Sequence, residues 1–221
     1  MYSMINEVTF AFLKAVKENN NLEWMNKNRD LYYLVRDNFW EFGKKLIEKT
    51  RELDKSIWML DIKDATFRFN KDIRFTKDKS PYKTSFGLII REEGKHGNGW
   101  GYYVDIGIEE NFIGGGMYLP PRAVAERVRT YIAKNYTQRK KIITAPAFKK
   151  AFGEVLWEKY KRVPKWFDAN HQAGEFLKMK SRYLGHSISE KKVLDPNFYT
   201  YCLSLFKIMK PLNDFLNKAS E

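Results

Sequence analysis

Hydrophobic residues recur every three to four positions over residues 1–55, which is the spacing of one face of an amphipathic helix. The triplet Asn19, Asn20 and Asn21 interrupts the pattern, because short amide side chains favour helix caps and turns over helix interiors. We therefore predict two roughly antiparallel helices, with room for a short helix over Leu22–Lys27 between them. The pattern is carried by Ile5, Val8, Phe12, Val16, Leu31, Leu34, Val35, Phe39, Phe42, Leu46 and Ile47.

From about Ser56 the hydrophobic pattern changes to alternation, which is typical of strands with one buried face. In the clearest case, Trp100–Ile108, the even-numbered residues are apolar and Tyr103, Asp105 and Gly107 point to the other side. We therefore predict a strand there whose second face carries a tyrosine beside a carboxylate.

Three other segments are strand-like, namely Phe67–Asn70, Thr84–Arg91 and Phe112–Tyr118. Apart from the first, the connections between them are short and rich in turn-forming residues. Short connections favour an antiparallel meander, since parallel strands need long crossovers. The sheet is expected to lie within residues 56–119.

Helical spacing returns after Pro120 and Pro121, and Asp195 followed by Pro196 predicts the beginning of the last helix. Pro211 is expected to kink or divide that helix. The chain contains no repeat and no flexible linker. We predict one α+β domain over residues 1–221, with a central antiparallel sheet flanked by N-terminal and C-terminal helices: helical over 1–55, sheet over 56–119 and mainly helical over 120–221.

The composition adds a strong positive charge to this picture. Forty Lys and Arg residues against twenty-seven Asp and Glu residues give a formal net charge of +13, which favours anionic partners. The single cysteine, Cys202, fits a reducing compartment. No signal-peptide pattern and no apolar run of membrane-spanning length is visible, so we expect a cytoplasmic protein without a membrane partner.

The positive charge is concentrated in two segments of different character. Lys134–Lys165 has ten basic and two acidic residues interleaved with apolar residues at helical spacing, which indicates a solvated helix face. Arg68–Lys83 has six basic and two acidic residues ordered by aromatic residues and a proline. The second segment is the better candidate for a site.

In this segment several cations are expected to converge near one carboxylate, Asp72. Arginine forks and lysine ammonium groups can hold a phosphate or carboxylate ligand, and nucleic acid is among the candidates. Tyr103 joins the list because it shares the less apolar face of its strand with Asp105. The predicted ligand-binding residues are Arg68, Lys71, Arg74, Lys79, Lys83 and Tyr103.

Two alternatives fit the same residues. In an enzyme, Asp72 would act as general acid or base, Arg68 and Arg74 would stabilise developing negative charge, and Tyr82 would donate a hydrogen bond. In a structural protein, the motif would be a buried Arg–Asp ion-pair network that ties a loop to the sheet. An enclosed cleft would favour the enzyme.

Other chemistries find less support in the sequence. His96, His171 and His186 lie in different segments without ligand spacing, and no Gly-x-Ser-x-Gly motif is present. Asp61 and Lys63 have the acidic-x-Lys spacing of some metal-dependent nucleases, but a second metal-binding carboxylate is not evident. We therefore predict neither a metal nor a cofactor.

The basic segment also carries a family resemblance. Arg68, Asp72, Arg74, Phe75, Asp78, Lys79 and Tyr82 match the signature Arg-x-x-Arg-Asp-x-Arg-Phe, then Asp or Asn and Lys-x-x-Tyr. The chain in this respect resembles the bacterial domain-of-unknown-function family number 2461, and the resemblance covers nearly the whole chain. Lys71 stands where the family has a second arginine, which keeps the charge but loses the planar fork. The resemblance implies no particular activity.

Overall fold

The computed structural model describes residues 5–117, 120–153, 159–180 and 182–220. Within these residues the chain forms one antiparallel sheet, and helices come before, between and after its strands in the sequence. This confirms the predicted α+β class. The helices are α1 (Glu7–Glu18), α2 (Leu22–Lys27), α3 (Arg29–Leu53), α4 (Ile62–Ala65), α5 (Arg122–Lys134), α6 (Tyr136–Thr144), α7 (Pro146–Phe152), α8 (Gly174–Leu177), α9 (Glu190–Val193) and α10 (Phe198–Lys218).

Asparagine side chains define the beginnings of the first two helices. Asn6 Oδ1 accepts a hydrogen bond from the Thr9 amide, and Asn21 Oδ1 accepts one from the Trp24 amide at 2.9 Å. Each bond satisfies an amide that has no partner inside its helix. The predicted break at the asparagine triplet and the short helix after it are both confirmed.

Four strands form a sheet in the order β1 (Ser85–Ile90), β2 (Tyr102–Gly107), β3 (Asn111–Met117) and β4 (Arg182–Ser187), and all neighbouring pairs are antiparallel. The first three strands confirm the predicted meander. Tyr118 and Leu119, the predicted end of the sheet, lie outside the described residues.

The prediction that the sheet lies within residues 56–119 was wrong, because β4 comes from the segment expected to be mainly helical. It pairs with β3 from Phe112↔Ser187 to Met117↔Arg182. Its sequence, Arg-Tyr-Leu-Gly-His-Ser, has neither helical spacing nor clean alternation, and Leu184 is its only buried apolar residue. Pairing with the edge of a preformed sheet, rather than local pattern, makes this segment a strand.

The predicted strand Phe67–Asn70 exists only as irregular pairing at the β1 edge of the sheet. Isolated bridges join Thr66 to Leu88 and Asn70 to Tyr82, and the Lys83 amide donates to the Phe69 carbonyl oxygen at 2.9 Å. Residues 66–88 therefore form a hairpin whose base lies beside the sheet. We call residues 71–80 the hairpin tip.

The last helix differs from its predicted form at two places. Asp195 caps a turn by accepting from the Asn197 amide, and α10 begins two residues later than predicted, at Phe198 rather than Pro196. The helix then continues through Pro211 to Lys218 without division. Its apolar side is buried against the sheet and α3, and this packing offsets the hydrogen bond that proline cannot make.

Helices α3 and α10 cover one face of the sheet. The ring of Tyr102 lies 4.6 Å from that of Phe206, and Phe42 of α3 stacks on Phe198 at 5.4 Å between ring centroids. Alternate residues of β2 point into this core, where Tyr102, Val104 and Ile106 are fully buried. The intervening residues face the opposite side of the sheet.

Two asparagine side chains complete the backbone hydrogen bonding at the ends of strands. Asn20 donates to the Tyr82 carbonyl oxygen and accepts from the Tyr82 amide, both at 2.9 Å. Asn217 of α10 accepts from the Trp100 amide at 2.7 Å and donates to the Trp100 carbonyl oxygen at 3.1 Å. Each side chain pairs with the backbone as a neighbouring strand would.

Candidate functional site

The sheet face turned away from α3 and α10, which we call the open face, combines aromatic residues with glycines. Register places Gly87 beside Asp105, Ile89 beside Tyr103, and Tyr103 beside Gly114. Because several positions lack side chains, the aromatic residues can lie down over the backbone of the sheet. The residues of the open face include Gly87, Ile89, Tyr103, Asp105, Phe112, Gly114, Gly116, Tyr183 and Gly185.

A cavity of about 420 Å³ opens on this face, and we call it the sheet pocket. A volume of this size is within the range of pockets for small ligands. The Phe67 and Tyr103 rings meet edge to face at 6.1 Å, and Tyr103 lies 5.3 Å from Phe112. The residues that line it include Phe67, Ile89, Arg91, Tyr103, Phe112 and Tyr183.

A small hydrogen-bonded group lies under the aromatic residues. The Tyr103 hydroxyl donates to Asp105 Oδ1 at 3.0 Å, and the Ser85 hydroxyl donates to the same oxygen at 3.4 Å. A Cβ at Gly87 would lie 2.4 Å from the Tyr103 hydroxyl oxygen, so only glycine leaves room for this arrangement. Tyr103 is thereby fixed across β1.

Burial sets the protonation of this group. It raises the pKa of Asp105 above its ordinary value, although the hydrogen bonds from Tyr103 and Ser85 act in the opposite direction. It also raises the pKa of Tyr103 and lowers that of Lys83, whose ammonium lies 5.5 Å from the Phe67 ring centroid. The open face therefore disfavours charge on each of the three side chains.

A second cavity of about 230 Å³, the basic pocket, adjoins the N-terminal helices. Phe67 lines both the basic pocket and the sheet pocket. Four cationic residues line the basic pocket, and no carboxylate lines it within the described ranges. The lining residues include Arg36, Lys63, Arg68, Lys95, Trp40 and Phe67.

Three of the four cations of the basic pocket make contacts of different kinds. The Arg36 guanidinium stacks 4.7 Å from the Trp40 ring centroid and pairs with Asp37 at 2.7 Å. The Lys95 ammonium donates to the backbone oxygens of Lys63 and Thr66, which do not neutralise its charge. Arg68 lies 4.0 Å from Asp72 and is largely exposed. The pocket therefore keeps an excess of positive charge.

The hairpin tip contains the predicted Arg–Asp cluster, but the cluster lies at the surface. Arg74 donates to both Asp72 oxygens at 2.9 and 2.7 Å, and these bonds lower the pKa of Asp72. The Arg68 and Arg74 side chains are 69% and 74% exposed, so the expectation of a buried ion-pair network was wrong. The tip is held by local ion pairs in water.

Two other predicted cations of the motif also make local contacts. Lys71 binds Asp78 at 2.8 Å and the Ser80 hydroxyl at 2.7 Å, and Lys79 donates to the Ile73 carbonyl oxygen at 2.9 Å. The bond from Lys71 is the main cause of the strongly lowered pKa of Asp78. Lys71, Arg74 and Lys79 do not line the sheet pocket or the basic pocket.

Tyr82, the predicted hydrogen-bond donor, is buried and stacks on Phe69 with 6.1 Å between ring centroids. Of the predicted ligand-binding residues, Arg68 lines the basic pocket and Tyr103 lines the sheet pocket. Lys83 lies beside Phe67 at the boundary between them. The structure thus brings these three near the cavities, buries Tyr82 in the core, and leaves Lys71, Asp72, Arg74 and Lys79 at the hairpin tip.

Sequence reasoning did not select Arg36, Lys63 or Lys95 for the site. They come from three distant segments, so no local motif marks them. Lys63 did attract notice as part of an acidic-x-Lys element, but Asp61 serves there as the N-cap of α4 and accepts from the Lys63 amide at 2.9 Å. The useful signal would have been Phe67, an aromatic residue next to Arg68 in a predicted strand.

The described residues contain no cluster of three or more His, Cys, Asp or Glu side chains that could hold a metal ion. No helix in the same ranges is both long enough and apolar enough to cross a membrane.

Comparison with known proteins places the whole arrangement in a family. No curated protein and no solved structure matches the chain. A family model described as "Conserved hypothetical protein (DUF2461)" matches residues 8–215, which include all the strands and both pockets. The chain therefore belongs to the DUF2461 family of conserved hypothetical proteins.

Proposed function

We propose that this protein binds an anionic, phosphate- or carboxylate-bearing ligand in the basic pocket. One observation carries the proposal: Arg36, Lys63, Arg68 and Lys95 line one cavity, and none of the other described residues that line it is a carboxylate. Guanidinium and ammonium groups form charge-assisted hydrogen bonds with phosphate and carboxylate oxygens, and these are stronger than bonds between neutral groups.

The distribution of charge around the basic pocket supports the same proposal. Like charges gathered around a small cavity repel one another, and a bound anion would relieve that repulsion. Within the described residues Lys63 and Lys95 make no ion pair. Arg36 pairs with Asp37, and Arg68 lies 4.0 Å from Asp72. The backbone hydrogen bonds of Lys95 hold its ammonium in place without neutralising it, which leaves its charge available to a ligand.

The reaction at Asp72 that the sequence left open finds less support. A general base works best when its pKa lies near the working pH. The hydrogen bonds from Arg74 lower the pKa of Asp72, and its side chain lies at the hairpin tip outside both pockets. We therefore favour binding at the basic pocket over proton transfer at Asp72.

Isothermal titration calorimetry with inorganic pyrophosphate tests the proposal. The double variant Lys63→Gln/Arg68→Gln removes two positive charges from exposed side chains that line the pocket. We expect its affinity to fall about tenfold or more, because each charge-assisted bond contributes about 1.5 kcal/mol or more.

The control is Lys161→Gln/Arg162→Gln, which makes the same change in charge at exposed residues of the basic segment Lys134–Lys165, away from the pocket. This variant is expected to bind pyrophosphate as the parent protein does. Equal weakening by both double variants would mean that the net charge of +13 attracts anions without a site, and the proposal would be abandoned.

A further inference from the structure

Phe67 is a wall of two cavities with different chemistry. On the side of the basic pocket it is accompanied by Arg36, Lys63, Arg68 and Lys95. The sheet pocket, in contrast, is lined mainly by aromatic and aliphatic side chains. A ligand that filled both cavities would carry its anionic group and its apolar part on opposite sides of one phenylalanine.

The shape of the sheet pocket suits a flat ring. Phe67, Tyr103 and Phe112 form a continuous row with centroid separations of 6.1 and 5.3 Å, and Tyr183 on the edge strand is 45% exposed. Aromatic rings at such positions provide faces for stacking. Gly116, with a φ of +126°, brings bare backbone to the wall of the cavity, which allows a ring to approach closely.

Polar groups are few in the sheet pocket, and they are placed at its rim. Arg91 donates to the backbone oxygens of Gly94 and Gly99 at 2.6 and 2.8 Å, and so it holds the loop that carries Asn98. Asn98 lines the cavity, is exposed, and makes no side-chain hydrogen bond within the described part of the chain. An amide can both donate to and accept from the edge of a heterocyclic ring.

From this juxtaposition we infer that the ligand is a nucleotide unit, with its base in the sheet pocket and its phosphate in the basic pocket. The inference rests on the proposed function, because it assigns the phosphate to the same four cations. A base is planar, stacks on aromatic side chains and presents donors and acceptors at its edge, and a phosphate is joined to it through a sugar. A simple carboxylate would leave the sheet pocket empty.

Calorimetric titrations with matched ligands separate the two parts. Ribose 5-phosphate carries the phosphate without the base, and the four common ribonucleoside 5′-monophosphates add one base each. We expect at least one nucleotide to bind about tenfold or more tightly than ribose 5-phosphate. The reason is that every base has a flat face that can stack on aromatic side chains and add to the affinity.

The variant Tyr183→Ala removes an exposed ring of the sheet pocket and leaves the basic pocket intact. It is expected to reduce the advantage of the nucleotide while ribose 5-phosphate binds as before. The control Trp166→Ala removes another exposed ring, 58% accessible and outside both pockets, and should change neither affinity.

The outcomes distinguish this inference from the proposed function. If every nucleotide binds no better than ribose 5-phosphate, while binding still depends on Lys63 and Arg68, the base is not recognised and only anion binding survives. If neither pyrophosphate nor ribose 5-phosphate binds, the basic pocket is not an anion site and both proposals fail.

A second set of titrations identifies the source of the nucleotide unit. Short single-stranded RNA and DNA expose their bases, whereas a duplex of the same sequence hides them in the stack. Single strands that bind more tightly than mononucleotides, with the same loss in Tyr183→Ala, would show that the unit belongs to a nucleic acid chain. A preference for duplex over single strand would overturn base recognition.

Discussion

The hairpin tip and the open face of the sheet each contain an aspartate among cations and aromatic residues, yet the two environments shift the pKa of the carboxyl in opposite directions. At the tip Asp72 lies in water, and the hydrogen bonds from Arg74 lower its pKa. On the open face Asp105 is mostly buried, and desolvation raises its pKa. Of these two aspartates, only the one on the open face has burial as the main cause of its pKa shift, whereas a hydrogen bond from a neighbouring arginine is the main cause at the tip.

The difference follows from how each region is held. The ion pairs and hydrogen bonds of the tip join residues two to nine positions apart, so they are local in the sequence. The open face instead joins Phe67 to Tyr103 and Gly114 to Gly185, pairs that lie far apart in the chain. A local cluster is visible in a sequence, but a cavity requires distant segments to meet.

The largest expected loss of stability comes from adding a Cβ at a glycine of the open face where two strands are closely packed. A Cβ at Gly114 would lie 2.0 Å from the Leu184 carbonyl oxygen, whereas a Cβ at its partner Gly185 would meet nothing within 4 Å. Gly114→Ala should lower the free energy of unfolding by about 1–3 kcal/mol in urea titrations, as expected for overpacking.

Gly185→Ala is the matched change, and it should alter that free energy by no more than about 0.5 kcal/mol. Equal losses for the two variants would mean that β3 and β4 are not packed as closely as described. The comparison would then have to be drawn without the edge strand.

A smaller effect of opposite sign in the two regions is expected in the dependence of stability on pH. Because its folded pKa is raised, Asp105 contributes stability below its ordinary value of 3.8, and this is lost as pH rises through the folded pKa. Asp105→Asn should therefore gain stability relative to the parent protein as pH rises through this window.

Asp72 should behave in the reverse manner. Its folded pKa is lowered, so its contribution is present above 3.8 and is lost as pH falls through the folded pKa. Asp72→Asn should lose stability relative to the parent protein as pH rises. Urea titrations of the three proteins across the acid range measure both slopes, and slopes of the same sign would contradict the difference in environment.

The smallest effect is expected at the most exposed aromatic residue of the tip. Phe75 is 91% exposed, and the Arg74 guanidinium lies 5.5 Å from its ring centroid. Phe75→Ala should change the free energy of unfolding by no more than about 0.5 kcal/mol, which is usual for surface positions. A loss comparable to that of Gly114→Ala would show that the tip packs against the fold.

The sequence predicted the elements whose side chains repeat regularly and missed those defined by pairing or packing. Alternation from Tyr102 to Ile106 identified β2 because every second side chain is buried. Segment β4 has no such repeat, and its strand geometry depends on the edge of β3. Proline at position 211 suggested a division of α10, but core packing along both halves keeps the helix continuous.

The residues that line the two cavities could be selected from the sequence only in part, for a related physical reason. Arg68, Lys83 and Tyr103 were selected from local charge and alternation, and they lie in or beside the cavities. Lys63 and Lys95 reach the basic pocket only through the packing of α4 against the segment after β1. No property of their immediate neighbours in the chain distinguishes them from other surface lysines.

The paired contacts of Asn20 and Asn217 have a consequence for the order in which the chain folds. Asn20 meets Tyr82 across 62 residues of sequence, and Asn217 meets Trp100 across 117. Closing such long loops costs entropy before the contact repays it, so non-local pairings of this kind slow folding. The hairpin entrance and the beginning of β2 should therefore acquire native hydrogen bonding late, after the helices that carry the two amides have docked.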